Sequence, residues 1–221
     1  GVAKADAGKA WFVLSPFLTV EEAWLLGTYA RSVSPFVNIV CGPVPVSGED
    51  DTYPKDRRGR ATGTVKFTIR AEKCPNRKGI EAVVAHFQQK PVSFADLLAA
   101  CDRDEVAFAY VTGGYGSSSP GFKVEDSERI GRAGYLVVHD LLPSFMTDKA
   151  KLVIPSAAFS EKEGTYVNHA GRTFCIFRPL GRGRVIFSYL IVAPTLPFWP
   201  SVSGRARALA EQNTQCRKPR Q

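Results

Sequence analysis

A short apolar run that stops at a turn and passes into a capped helix opens this chain and recurs in its middle. That repeated order constrains the fold more than any other feature. Ala10–Leu14 (AWFVL) suits a buried strand, and Ser15-Pro16 stops it. Thr19-Val-Glu-Glu22 then has the form of a capping box, in which the Thr hydroxyl and the Glu carboxylate satisfy free backbone N–H groups. The helix is expected to reach about Arg31, with Trp24, Leu25 and Tyr29 able to face a core, and Val37–Val40 supplies a second strand. Strand–helix–strand is the mark of an α/β layer fold. The order returns in Val106–Thr112 (VAFAYVT), the turn GGYGSSSP over 113–120, a helix over about Lys123–Arg132 and a strand Tyr135–His139, with Lys151–Ile154 starting a third. A mainly parallel sheet is the expectation. Ligands of such sheets sit beyond the carboxyl ends of the strands, so a pocket belongs at the loops after Thr112, His139 and Ile154.

Between these units the pattern changes. Residues 42–63 are rich in Gly, Pro, Asp and Arg with little periodic apolar content, and read as a long exposed loop. Val65–Arg70 resumes as a strand. Asn76 is placed to cap a helix whose Ile80, Val83, Val84 and Phe87 form one apolar face. Ser93-Phe-Ala-Asp96 opens another by the same logic, with Phe94, Leu97, Leu98 and Cys101 on its buried side. Beyond Pro155 glycines punctuate short β-prone pieces, Thr173–Phe177 and Val185–Val192, and a last helix is expected over Gly204–Gln212.

Composition narrows the function classes. The chain of 221 residues is long enough for a real core, and no apolar stretch has the length of a membrane span. The first residue is Gly1, with no secretory signal after it, which leads to the expectation of a piece of a longer protein. Five cysteines are scattered singly with no CxxC-type spacing, so the local signature of a zinc or iron–sulfur site is missing and a reducing setting is expected. A net charge of +8 concentrates at Arg57–Arg60 and from Arg172 onward. Such a surplus reads as a solvated surface with a basic tail, an acidic partner protein being the alternative. No recognisable nucleic-acid motif accompanies it, so direct nucleic-acid binding is not expected.

The chemistry-bearing candidates are few. The turn at Gly113 and Gly114 is shaped to cradle a phosphate on backbone N–H groups, yet no Gly-Lys-Ser/Thr follows and the third glycine of GxGxxG is missing. A plain turn is the competing reading. No GxSxG elbow occurs. His86 reads as a helix-surface residue, and His139 as a hydrogen-bonded structural one at a strand end. Pro155 ends a strand taken as buried, Gly164 and Gly171 permit positive φ at two turns, and Asn168 and Arg172 stand in a tight reversal. Those two side chains either meet a phosphate or carboxylate, or simply pin the turn. No catalytic residue and no metal ligand is singled out.

Three segments carry a family resemblance. Leu152-Val-Ile-Pro155, followed by Phe159, Glu161, Lys162, Gly164, Thr165, Asn168, Gly171 and Arg172 at matching spacing, resembles the molybdopterin oxidoreductase family. Leu14-Ser-Pro-Phe-Leu-Thr-Val-Glu-Glu-Ala-Trp-Leu-Leu26 and Ala71-Glu-Lys-Cys-Pro-Asn-Arg-Lys-Gly79 resemble segments of its respiratory branch, the large iron–sulfur subunit of NADH:quinone oxidoreductase. The resemblance implies Rossmann-like layers over residues 1–179, with 180–221 a divergent β-prone segment and basic tail. It implies a structural, non-catalytic part of that subunit, with iron–sulfur clusters in an upstream part. The partners would be the other NADH dehydrogenase subunits, and the chain would lie peripherally at the membrane with no transmembrane segment of its own. Two alternatives stay open. One is a fragment of a molybdenum bis-pterin enzyme such as a formate dehydrogenase, using a pocket around Gly113, Gly114, Thr147, Asn168 and Arg172 for molybdopterin. The other is a free-standing nucleotide- or anion-binding module.

Overall fold

The computed structural model describes residues 8–88, 90, 92–115 and 121–176. The expected boundary near residue 179, the strand Val185–Val192 and the helix Gly204–Gln212 lie outside the described residues. Five strands form one parallel sheet: β1 (Ala10–Leu14), β2 (Asn38–Cys41), β5 (Phe108–Thr112), β6 (Tyr135–Asp140) and β7 (Leu152–Pro155). Their order is β2-β1-β5-β6-β7. Two antiparallel pairs stand apart from it, β3 (Asp51–Tyr53) with β4 (Phe67–Ile69) and β8 (Gly164–Val167) with β9 (Thr173–Ile176).

Helices cover both faces of the sheet. On one, Trp11, Val13, Val40, Ala109, Val111, Leu136 and Val138 meet Leu97, Ala100 and Cys101 of α3 (Phe94–Asp102), Ile130 of α4 (Val124–Ile130) and Met146 of α5 (Phe145–Lys149). On the other, Phe12 lies edge-on to Tyr29 of α1 (Val20–Val33), with ring centroids 6.4 Å apart. Beside α1 runs α2 (Arg77–Phe87), held by Trp24 against Phe87 at 4.9 Å and by the Arg31 guanidinium donating to the Phe87 carbonyl. Alternation along each strand sends Phe12 one way and Trp11 and Val13 the other, which is why β1 is buried along its whole length.

The capping boxes expected at Thr19–Glu22 and Ser93–Asp96 are both formed. Four expectations are corrected. Residues 42–63 are not a plain loop: β3 lies within them and pairs with β4, so the strand expected over Val65–Arg70 belongs to a separate ribbon rather than to the main sheet. Leu25 and Tyr29 are mostly exposed, and α1 instead buries the small residues Ala23, Gly27 and Ala30 with Val20, which lets α2 approach closely. The strand ending at Pro155 is an edge strand with Leu152 and Val153 half exposed, so its proline removes no ladder bond from an interior strand. Asn76 stands at the start of α2 but does not cap it with its side chain, which is used elsewhere.

No helix among the described residues is long and apolar enough to cross a membrane.

Candidate functional site

The strand order reverses direction between β1 and β5. In open parallel sheets the ligand crevice lies outside the carboxyl ends of the two strands at that reversal. Here the crevice is built from the turn after β1 (Ser15–Thr19) and the turn after β5 (Gly113–Tyr115). Thr112, buried at the end of β5, joins the two strands: its hydroxyl donates to the Val13 carbonyl at 2.9 Å and accepts the Ser15 N–H at 2.7 Å. Above it the Tyr115 ring packs edge-on to Phe17 and to Phe122, with centroids 5.1 and 5.3 Å away. The Tyr115 hydroxyl donates to the Pro43 carbonyl at 2.9 Å. Burial pushes this phenol well above its ordinary pKa, so it stays neutral.

Six backbone donors of the crevice are engaged within the chain. Ser15 N–H reaches Thr112, Phe17 N–H the Ser15 hydroxyl at 3.2 Å, Leu18 N–H the Ser15 carbonyl, and Thr19 N–H the Glu22 carboxylate at 2.8 Å. On the facing turn, Gly113 N–H donates to the His139 carbonyl and Gly114 N–H to the Asp140 carboxylate at 2.7 Å. Gly113 is there because of crowding: a Cβ on it would lie 2.1 Å from the Asp140 carboxyl carbon.

Next to the crevice, a cleft of about 460 Å³ opens beyond β5 and β6. Phe122, Leu142, Pro143, Phe145 and Met146 give it apolar walls, and the carboxylates of Asp140 and Asp148 its polar side. No histidine or cysteine lines it among the described residues. The expected pocket position is therefore met by the loops after Thr112 and His139, whereas the loop after Ile154 takes no part. The chemistry of this cleft suits an apolar group with a cationic end. A phosphate would meet two carboxylates.

The five residues expected to bind a cofactor do not converge. Gly113 and Gly114 lie at the crevice with their N–H groups committed as above. Thr147 is in α5, where its hydroxyl donates to the Ser144 carbonyl at 2.7 Å and accepts the Ser144 N–H at 2.8 Å. Asn168 and Arg172 form the β8–β9 turn and do not line the cleft. The Asn168 side-chain oxygen accepts the Ala170 and Arg172 N–H groups, each at 3.0 Å, and Gly171 takes φ +73°, so these residues pin the turn. The residues at the crevice do not fit the pyrophosphate of a pterin nucleotide: Tyr115 fills the space and Asp140 brings the wrong charge.

What does converge is the set of sequence segments that carried the resemblance. Glu21 of α1 accepts both the N–H and the hydroxyl of Thr165 in β8, at 2.8 and 2.6 Å. Glu22, while capping α1, also receives the Lys162 ammonium at 3.0 Å. Asn76, fully buried, donates to the Leu18 carbonyl and accepts the Val167 N–H, both at 2.7 Å. Gly164 passes so close that a Cβ would lie 2.5 Å from the Thr19 methyl. The motif residues thus clasp the β8–β9 hairpin to the N-terminal ends of α1 and α2. Sequence reasoning missed Glu21, Asn76 and Tyr115 in these roles. The Pro-Asn pair at 75–76 was the available signal, since a buried Asn needs partners from outside its own helix.

His139 lies on the opposite face of the sheet from the cleft, its Nδ1 3.2 Å from the Tyr110 hydroxyl. Burial lowers its imidazole pKa, with the Glu22 carboxylate pulling the other way. Among the described residues no three His, Cys, Asp or Glu side chains are grouped to hold a metal ion.

Burial dominates the thiols as well. Cys41 and Cys74 are pushed up to about 12, with the Glu81 and Glu72 carboxylates adding to the respective shifts, and Cys101 to about 11. These three are expected to resist iodoacetamide in the native chain at pH 8 and to react freely in denaturant, as read by peptide mass mapping; rapid native labelling would contradict their packing. The unfolded chain loses these protons near the ordinary thiol value of 9.0 while the folded chain keeps them. Stability is therefore expected to fall as pH rises from about 9 towards 12.

No family model matches this chain, and no curated protein matches it.

Proposed function

We propose that this chain is a structural part of the large iron–sulfur subunit of a respiratory NADH:quinone oxidoreductase, supporting electron transfer from NADH to quinone by positioning other parts of the assembly. In this reading the electron carriers lie elsewhere, and the chain sits on the cytoplasmic side of the membrane through its contacts with neighbouring subunits. The observation that carries the non-catalytic part of the reading is the state of the crevice donors. An α/β domain that binds a dinucleotide keeps the N–H groups of its first strand–helix turn free for the anion. Here those of Ser15, Phe17, Leu18 and Thr19 all end on protein acceptors. The clasp supports the same reading, because the segments resembling the respiratory subunit use their polar groups to bind one another.

Affinity-tagging the chain in its native cells and resolving detergent extracts by native electrophoresis tests this. The tag is expected in the band that oxidises NADH. A tag that migrates alone, or a preparation carrying one molybdenum per chain, would overturn the proposal.

A further inference from the structure

The β3–β4 ribbon, with the flanking bridges Val46–Glu72 and Lys55–Ala61, stands outside the main sheet and pairs only with itself. An isolated two-stranded ribbon is marginal in water, so its surface chemistry calls for an explanation. One of its faces carries Tyr53, Phe67 and Ile69, with Asp51, paired to Lys55, opposite Ile69. Phe67 lies directly opposite Tyr53, the rings stacked at 4.9 Å and 7°, and Ile69 follows two residues on along the same face. Val46, Val65, Phe67 and Ile69 are all about half exposed or more. Charge is distributed unevenly along the ribbon. From Asp50 to Lys73 there are seven basic residues against four acidic ones. Near the base the charges are matched, Asp50 with Arg70, Asp51 with Lys55 and Glu72 with Arg77. Towards the tip they are not. The Asp56 carboxylate is used on the Arg58 and Arg60 backbone N–H groups at 2.8 and 2.9 Å. Among the described residues the side chains of Arg57, Arg58, Arg60 and Lys66 have no acidic partner, and all four are exposed.

We propose that this ribbon is a docking arm for another protein, one that presents an apolar groove for Phe67 and Ile69 beside a cluster of carboxylates for Arg57, Arg58, Arg60 and Lys66. The inference goes beyond the assembly reading, since it holds whichever complex the chain serves. Arginine and aromatic side chains are both enriched at interfaces, and the unmatched guanidinium groups at the tip of the ribbon select an acidic counterpart by charge. Other occupants fit less well. Three of the four exposed apolar side chains are aliphatic and offer a nucleic-acid base no ring to stack on. Asp51 lies on the same face as Phe67 and Ile69, opposite Ile69, which opposes insertion into lipid. A second copy would bring the same cations against themselves across a two-fold axis.

Replacing Phe67 with photoreactive p-benzoylphenylalanine in the full chain, and irradiating it in extract from its native cells, tests the proposal. The expected product is an adduct to one protein, on a peptide that adjoins several Asp or Glu residues. Combining the probe with Arg57→Glu, Arg58→Glu and Arg60→Glu is expected to reduce that adduct at least about tenfold, while the thermal midpoint stays within about 2 °C because the three side chains are solvent-exposed. An adduct to RNA, lipid or a second copy, an adduct to a peptide without acidic residues, an adduct insensitive to the charge reversal, or none at all would each overturn the docking arm. None of these results bears on whether the tagged chain runs with NADH oxidation, so the two proposals fail separately.

Discussion

Asn76→Ala is expected to destabilise the folded chain by about 2–4 kcal/mol, because two backbone groups lose their partners at once. The Leu18 carbonyl and the Val167 N–H both end on this one amide, and Asn76 has no solvent exposure through which water could replace it. Asn76→Asp keeps the acceptor for Val167 but turns the donor towards Leu18 into a carboxylate oxygen. It is therefore expected to be no better tolerated than alanine. Chemical denaturation of the purified chain, followed by circular dichroism, measures both. A loss below about 0.5 kcal/mol for alanine would mean that the clasp does not hold the hairpin.

Tyr115→Ala is expected to lose about 3–5 kcal/mol, the usual range for removing a buried aromatic ring. The ring fills the crevice between the two central strands, touching Phe17 and Phe122, and its removal leaves a void that the rigid turn at Gly113 and Gly114 cannot close. Tyr115→Phe keeps the ring and gives up only the bond to the Pro43 carbonyl, for an expected loss of about 1 kcal/mol. The contrast between the two substitutions separates packing from hydrogen bonding. Equal losses for both would show that the hydroxyl, rather than the ring, holds this corner together.

The clasp and the filled crevice explain how much of the site was legible beforehand. The crowding of Gly113 against Asp140 was not legible, the pinned turn was one of two readings open for Asn168, and the cleft beyond β5 and β6 followed from a local rule about strand ends. The plug of the crevice by Tyr115 did not, because nothing in Gly-Gly-Tyr indicates whether the tyrosine faces solvent or folds back over the strands. Its direction depends on Phe17, nearly a hundred residues earlier, and on the Pro43 carbonyl. The exposure of Leu25 has a related reason: helical spacing alone marks it as apolar, but the approach of α2 gives the buried stripe to Ala23, Gly27 and Ala30, with Tyr29 only partly covered against Phe12.

From the residues alone came the succession of strands and helices, the caps at Thr19 and Ser93, and the parallel character of the sheet. Each of these rests on hydrogen bonds or side-chain periodicity within a few positions of the chain. The order β2-β1-β5-β6-β7, the separate β3–β4 ribbon and the meeting of Glu21 with Thr165 and of Asn76 with Val167 belong to the tertiary structure. They join positions from about fourteen to about one hundred and forty-four apart, and such pairings are fixed by which faces can be buried together rather than by any local pattern.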